Sequence, residues 1–384
     1  MRVRLVSGAA EPFGAVVHAL AVADGLEALG HRAEVWAPDT AGAALQGAER
    51  ARVRTVAVPR ERADPDERVR AAAAALSRTL ALAEPADVEH AQDPIAGAAL
   101  LALRVRRGGG AVVRTVHHID AGVPGLQEPE RASIQGADAC ICLSAFWAGR
   151  LRAEYGVEAA VVPDGVDVER FASSPLSRAE AGALFGWGAR PAVLALGGIS
   201  RRKGSRVLLE AFARARSRLG DDGLLAIAGP DGDAGDYAEG WRADAARLGL
   251  EVAGRRPGPA ASVALLGAVP ARDMPVLYRA VDALAYPSTR EGFGLAVLEA
   301  ASAGVPAAVS DIAVLRETLT DGHDCLMVPP GHSGALADAL VRLVRDADLR
   351  ARLLAGGRQT AARFRWDDVV AAHLRVYEGV LSAR

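Results

Sequence analysis

Short apolar runs alternate along the chain with longer stretches in which Ala, Leu and Val recur at helical spacing among Arg and Glu. In the first half, Val3–Val6, Ala33–Trp36, Val53–Val58, Val112–Val116, Ala139–Leu143 and Ala160–Val162 read as strands, with helices such as Val16–Leu29 and Arg68–Ala83 between them. The pattern then restarts. Pro191–Leu196, Leu224–Ala228, Val263–Leu265, Ala283–Tyr286, Ala307–Val309 and Cys325–Val328 form a second strand set, with helices at Val207–Leu219, Tyr237–Leu248, Pro275–Ala280, Leu295–Ala303 and Gly334–Asp346. Short apolar strands joined by helical crossovers imply parallel sheets covered on both faces. The expected fold is therefore α/β, with two Rossmann-like, doubly wound domains facing each other across a cleft at the C-terminal edges of their strands. The mixed, Ser/Ala/Gly-rich stretch Phe171–Gly188 is the expected linker, so the domains span residues 1–172 and 187–365. The amphipathic segment Trp366–Leu381 fits either domain by pattern alone.

A chain of 384 residues is long enough for two independent cores. A formal net charge of −2 supplies no field that would draw it to nucleic acid. No run is long and apolar enough to span a bilayer, and Met1–Val6 alternates Arg with apolar residues as a strand does, not as a signal peptide does. Cys140, Cys142 and Cys325 lack metal-ligand spacing and read as core thiols of a cytoplasmic protein. Among 45 basic residues a single lysine, Lys203, stands out. An ammonium is a compact point charge where a guanidinium is a wide planar fork, so a tight phosphate pocket is one reason to keep it.

Four segments carry candidate chemistry. The first is Pro287-Ser-Thr-Arg-Glu-Gly-Phe-Gly-Leu-Ala-Val-Leu-Glu299, which follows an apolar strand. Gly292 and Gly294 permit a tight loop, and the N–H groups of Phe293, Gly294 and Leu295 at the following helix start form a phosphate cradle. Glu299 lies about 7.5 Å further along that helix, and its side chain tilts back toward the N-terminus, where a ribose diol fits. Glu291 sits ahead of the phosphates, where a transferred sugar would lie. The second segment, Leu196-Gly-Gly-Ile-Ser-Arg-Arg-Lys-Gly-Ser205, also links a strand to a helix, and brings Lys203 to a diphosphate with Arg201 and Arg202 nearby. The third, Val113-Arg-Thr-Val-His-His-Ile-Asp120, ends a strand of the first domain. A histidine there can bond a sugar hydroxyl, whereas adjacent His117 and His118 point oppositely in extended chain and do not readily share a metal ion. The fourth, Ser7–Gly14, lacks the G-x-G-x-x-G spacing of nicotinamide dinucleotide sites, and Gly14 is the point where a substrate could approach the helix start.

At these residues the sequence resembles the large family 4 of retaining glycosyltransferases, which have the GT-B fold. The likeness includes Pro163-Asp-Gly-Val-Asp167, Lys203-Gly204, Ala228-Gly-Pro230, Leu266-Gly-Ala-Val-Pro270 and above all Glu291-x7-Glu299. The resemblance implies that Glu291 contacts the donor sugar, Glu299 the ribose and Lys203 the diphosphate. It also implies that His117, rather than His118, lies beside the transferred sugar, that Gly267 and Val269 border the base, and that the last helix packs back on the first domain. Two positions depart from the family pattern: Gly198 stands where an arginine is usual, with Arg201 or Arg202 as substitutes, and Phe13-Gly14 replaces a glycine pair.

The expected activity is transfer of a hexose-type sugar from a nucleotide-diphosphate donor to a hydroxyl acceptor, with no metal and no cofactor beyond the donor. The fixed charge of Lys203 and the helix N-terminus would stabilise the leaving diphosphate. Peripheral membrane contact and oligomeric state are left open by the sequence. A nucleotide-sugar epimerase or hydrolase, and a non-catalytic nucleotide-sugar-binding protein, are the competing readings.

Overall fold

The computed structural model describes residues 1–8, 14–39, 49–58, 64–119, 125–220, 222–230 and 235–384. Phe13, most of the Ser7–Gly14 loop and Asp120 lie outside them. The chain divides into two compact units, Met1–Gly165 with Trp366–Arg384, and Val166–Arg365. Each unit is a twisted parallel sheet between layers of helices.

In the first unit the strands are β1 (Arg2–Val6), β2 (Arg32–Pro38), β3 (Arg52–Val56), β4 (Val88–Ala91), β5 (Ala111–Val116), β6 (Ala139–Cys142) and β7 (Ala159–Val161). Their order is β3-β2-β1-β4-β5-β6-β7, every neighbouring pair being parallel. One face of this sheet is covered by the helices Gly14–Ala28 and Trp366–Ser382, with Val16, Leu20, Val370 and Tyr377 in the core. The other is covered by the helices Pro65–Leu80 and Pro94–Arg107 through Leu76, Leu80, Leu100 and Leu103.

Strand β4 has no counterpart in the apolar pattern, because its centre is Glu89-His90. Both side chains are buried and answered by distant partners. Arg4 Nη1 donates to Glu89 Oε1 at 2.8 Å, with both side chains almost fully enclosed. His90 lies 2.7 Å from both Tyr377 Oη and Thr115 Oγ1. The arginine alternation in β1 is thus partly an inward-facing charge that β4 neutralises, as buried charges require.

In the second unit the strands are β8 (Ala192–Leu196), β9 (Leu224–Ala228), β10 (Val252–Ala253), β11 (Val263–Gly267), β12 (Ala283–Tyr286), β13 (Ala307–Ser310) and β14 (Leu326–Val328). The order is β10-β11-β9-β8-β12-β13-β14, again all parallel. Leu208, Phe212, Trp241, Leu336 and Leu340 anchor its core.

The stretch expected as a linker, Phe171–Gly188, is instead part of the second unit. It contains the helices Val168–Ala172 and Arg178–Phe185, and its Phe171 and Trp187 are buried. Trp187 Nε1 donates to the carbonyl of Ala280 at 3.0 Å, and Phe171 packs edge-on against Tyr278. Two aromatic anchors in a stretch of small residues are enough to fix it. All three cysteines are buried free thiols, and among the described residues no helix is long and apolar enough to cross a membrane.

Candidate functional site

In a doubly wound sheet, ligands bind outside the strand ends where the winding direction reverses. In the second unit that point lies between β8 and β12, and the two segments with the strongest chemical pattern leave these two strands. Gly197 and Gly198 both have positive φ, +104° and +65°, a region open to glycine and costly to other residues. A Cβ on Gly197 would lie 2.7 Å from Lys203 Cγ, so the bare backbone is what lets the lysine stem lie flat. A Cβ on Gly198 would lie 1.7 Å from the Pro230 carbonyl oxygen. The usual family arginine therefore has no room at this position in this backbone.

Lys203 Nζ donates to Glu291 Oε1 at 2.7 Å and to Tyr286 Oη at 3.2 Å. Arg202 Nη1 lies 3.4 Å from the same carboxylate oxygen, whereas Arg201 stacks over the Tyr237 ring at 4.4 Å. Arg202 is thus the second cation beside Glu291. Burial pushes the Glu291 carboxyl up, but Lys203 and Arg202 outweigh it and hold the group below the usual range. Burial draws Lys203 down, against the pull of Glu291. Burial and the adjacent Glu291 raise the Tyr286 phenol well above its ordinary value, so it stays protonated.

The helix Leu295–Ser302 starts at Gly294, whose φ is +101°, and no side chain caps it. Its first N–H groups have no partner within the helix, as at any helix start. Phe293 is buried against Phe364 at 5.1 Å between ring centres. Glu299 is half-buried, and its Oε2 accepts from Tyr278 Oη at 2.7 Å. Tyr278 belongs to the helix Met274–Arg279, is fully buried and has its phenol raised well above 10 by burial and by Glu299. It therefore donates and fixes the direction of the carboxylate. Tyr278 cannot be found as a site residue from spacing, because it reaches Glu299 from a different helix, whereas Tyr286 ends the strand that leads into the Glu291 loop. Gly267, with φ +63°, ends β11, and half-buried Val269 follows at the same sheet edge.

The first unit has its own reversal point, between β1 and β4. Asp93, which caps the helix Pro94–Arg107, also accepts from Ser7 Oγ at 3.1 Å and from the Gly8 amide just after β1. Gly14 is exposed at the first position of its helix, with open space where a Cβ would stand. His117 is half-buried at the end of β5, and its Nε2 lies 3.0 Å from Gln92 Oε1 at the end of β4. His118 is also half-buried, but the bond to Gln92 belongs to His117. Burial first, then His18 and Arg114, lower His117 well below the ordinary histidine value and keep it neutral.

Behind His117 stands a group invisible to local pattern. His18 contacts the His117 ring edge-on at 5.0 Å, and its Nδ1 lies 2.6 Å from Asp164 Oδ1. Ligand-capable atoms of His18, His117 and Asp164 fall within 4.8 Å of one another, a grouping that the adjacency of His117 and His118 does not reveal. Several of these atoms are already engaged in hydrogen bonds: His18 Nδ1 pairs with Asp164, His18 Nε2 lies 3.2 Å from His373 Nε2, and His117 Nε2 meets Gln92.

Two doubly wound units, one with a cation–carboxylate cluster and an uncapped helix start at its reversal point, define the GT-B class of glycosyltransferase. Residues 190–346 match the family described as Glycosyl transferases group 1, and residues 13–170 match Glycosyltransferase Family 4. The chain is 30% identical over 383 residues to a phosphatidyl-myo-inositol mannosyltransferase of Mycobacterium tuberculosis, covering 96% of this chain and 94% of that one. It is 30% identical over 287 residues, 71% of each chain, to a GDP-mannose-dependent alpha-(1-6)-phosphatidylinositol monomannoside mannosyltransferase of the same organism. Among solved structures, sucrose-phosphate synthase from Thermosynechococcus elongatus shares the fold over 100% of both chains, with a TM-score of 0.80 at 22% identity. The chain belongs to the family 4, or group 1, glycosyltransferases.

Proposed function

We propose that the chain is a retaining hexosyltransferase that uses a nucleoside-diphosphate sugar, GDP-mannose being the first donor to try, and glycosylates a hydroxyl of an inositol-type polyol without a metal ion. The observation that carries this reading is the convergence of Lys203, Arg202 and Glu291 beside the uncapped start of the helix Leu295–Ser302. The donor class and the polyol acceptor follow the two mannosyltransferase relatives.

In this reading the diphosphate takes the place of Glu291 on Lys203 and meets the N–H groups of Phe293, Gly294 and Leu295. Glu299, aimed by Tyr278, accepts from the ribose hydroxyls. β11 is two strands from β8, roughly 10 Å at ordinary strand spacing, which suits a base beside Gly267 and Val269 and a diphosphate at Lys203. Glu291, released from Lys203, orients the donor sugar, and His117 of the first unit is a candidate to bond a substrate hydroxyl. The bond from the anomeric carbon to the diphosphate oxygen breaks while the acceptor oxygen bonds that carbon on the same face. The acceptor proton passes to the leaving diphosphate. Lys203, Arg202 and the helix start stabilise the charge that grows there, and fixed charges and dipoles of this kind commonly supply most of an enzyme's rate enhancement.

A thermal-shift panel of GDP, UDP, ADP and TDP, followed by transfer assays with the matching sugar nucleotides and phosphatidylinositol or inositol acceptors, tests the reading. One nucleoside diphosphate is expected to raise the melting temperature selectively, since ligand binding stabilises by mass action. A glycosylated product with the donor's anomeric configuration should follow. Inverted product, or sugar release at the same rate with and without acceptor, would refute it.

A further inference from the structure

The first unit holds a polar group that the proposed reaction does not use. Gln92 follows β4 at the reversal point of the sheet and is only 1% exposed. Its Oε1 is engaged by His117, but its amide nitrogen is buried and has no hydrogen-bond partner among the described residues. A buried amide donor left unsatisfied costs about 1–3 kcal/mol, so such a group in a folded protein calls for an explanation. Its surroundings supply one. With Gln92 Oε1 as acceptor, neutral His117 carries its proton on Nε2, which leaves Nδ1 as an acceptor. The pair then carries one unanswered donor and one acceptor, and because the two imidazole nitrogens point well apart, they meet different atoms of any ligand.

We propose that Gln92 is a substrate-binding residue: its amide N–H donates to one hydroxyl of a sugar or cyclic polyol, and His117 Nδ1 accepts from another hydroxyl of the same ring. A polyhydroxy ring supplies both an acceptor and a donor; a phosphate or carboxylate is acceptor-only and would oppose the histidine lone pair. Exchanging the amide oxygen and nitrogen of Gln92 reverses both roles and leaves the same complementarity. The Asp164–His18 pair, touching the His117 ring from behind, positions it. The identity of the ligand as a glycosyl donor or polyol acceptor rests on the function proposed above; the donor–acceptor pair itself does not.

The test compares wild type with Gln92→Glu, which keeps an acceptor for His117 Nε2–H and removes the amide donor, and with Gln92→Met, which removes both without adding charge. Each is assayed with the parent donor and acceptor, with monodeoxy versions of the donor sugar, and with monodeoxy inositols. One deoxy substitution is expected to lower wild-type kcat/KM about 10–100-fold and to cost no more than about 2-fold in either variant, the signature of a broken direct contact. A loss confined to the deoxy donors assigns the hydroxyl to the transferred sugar; one confined to the deoxy inositols assigns it to the acceptor. Variants as active as wild type, or deoxy penalties that persist undiminished in both, would overturn the assignment. A wild type inactive with every sugar nucleotide would instead count against the transferase reading. In that case the side-chain amide resonance of Gln92, followed by 15N NMR during titration with methyl mannoside and myo-inositol, decides the site: a saturable shift supports it and an unmoved resonance overturns it.

Discussion

Lys203→Ala is expected to lower kcat for glycosyl transfer about 10²–10³-fold, the usual loss when a fixed group that stabilises a leaving anion is removed. Lys203→Arg should recover little of it, although it keeps the charge. The lysine stem lies on the backbone of Gly197 and its ammonium sits between Glu291 Oε1 and Tyr286 Oη, a place for a compact charge. A guanidinium would engage Glu291 through two nitrogens and compete more strongly with the incoming diphosphate. Both variants should bind the nucleoside diphosphate more weakly. Steady-state kinetics on protein of verified melting temperature check this: either variant within about 3-fold of wild-type kcat would remove the lysine from the chemistry.

The second large effect concerns acid stability of the first unit. His90 and His373 are fully buried. Burial first, then charges that include His18, hold His90 well below 6.5 and His373 at about 3. The groups facing them are His18, Arg114, Tyr377, Thr115 and the carbonyl of Val369. Unfolding returns both histidines to an ordinary value near 6.5, so below that pH the unfolded chain binds more protons than the folded one. Stability is therefore full above about pH 6.5 and falls as pH drops toward the folded values. A group held at about 3, as His373 is, costs roughly 2 kcal/mol between pH 7 and pH 5; His90 adds a loss of the same sign, and Glu89, raised to about 7 by burial, takes up a proton in the folded state over the same range and offsets part of it. Urea titrations across this range should show His373→Gln, which cannot titrate, losing roughly 2 kcal/mol less than wild type between pH 7 and pH 5. An equal slope in the variant and the wild type would contradict the prediction.

The cluster of Lys203, Arg202 and Glu291 was legible in the sequence because it is built from two local segments. Lys203 and Glu291 each follow an apolar strand, and the helix that presents Glu299 begins at a glycine. In the first unit His117 was legible but the side chains around it were not, for a reason that begins with β4. A strand whose centre is Glu89-His90 escapes a search for apolar runs, since the partners that make its burial tolerable, Arg4, Thr115 and Tyr377, lie 25 to 287 positions away. With the strand unseen, Gln92 at its end had no address at the sheet edge. His18, Asp164 and His373 were hidden in the same way, each on a different element. Phe171 shows the converse: surrounded by small and polar residues, it looked like linker, and only the tertiary contact with Tyr278 reveals that it supports the tyrosine that aims Glu299.

The most direct measurement is a cycle between ligand and protein: affinity for the preferred nucleoside diphosphate and for its 2′,3′-dideoxy analogue, by calorimetry, in wild type and in Glu299→Ala. Removing the ribose hydroxyls is predicted to weaken binding about 10–100-fold in wild type, as loss of a hydrogen-bonded charged acceptor's partners does, and to change it less than about 2-fold once Glu299 is gone. An equal penalty in both proteins would show that this carboxylate does not hold the ribose, and the donor site would have to be placed elsewhere.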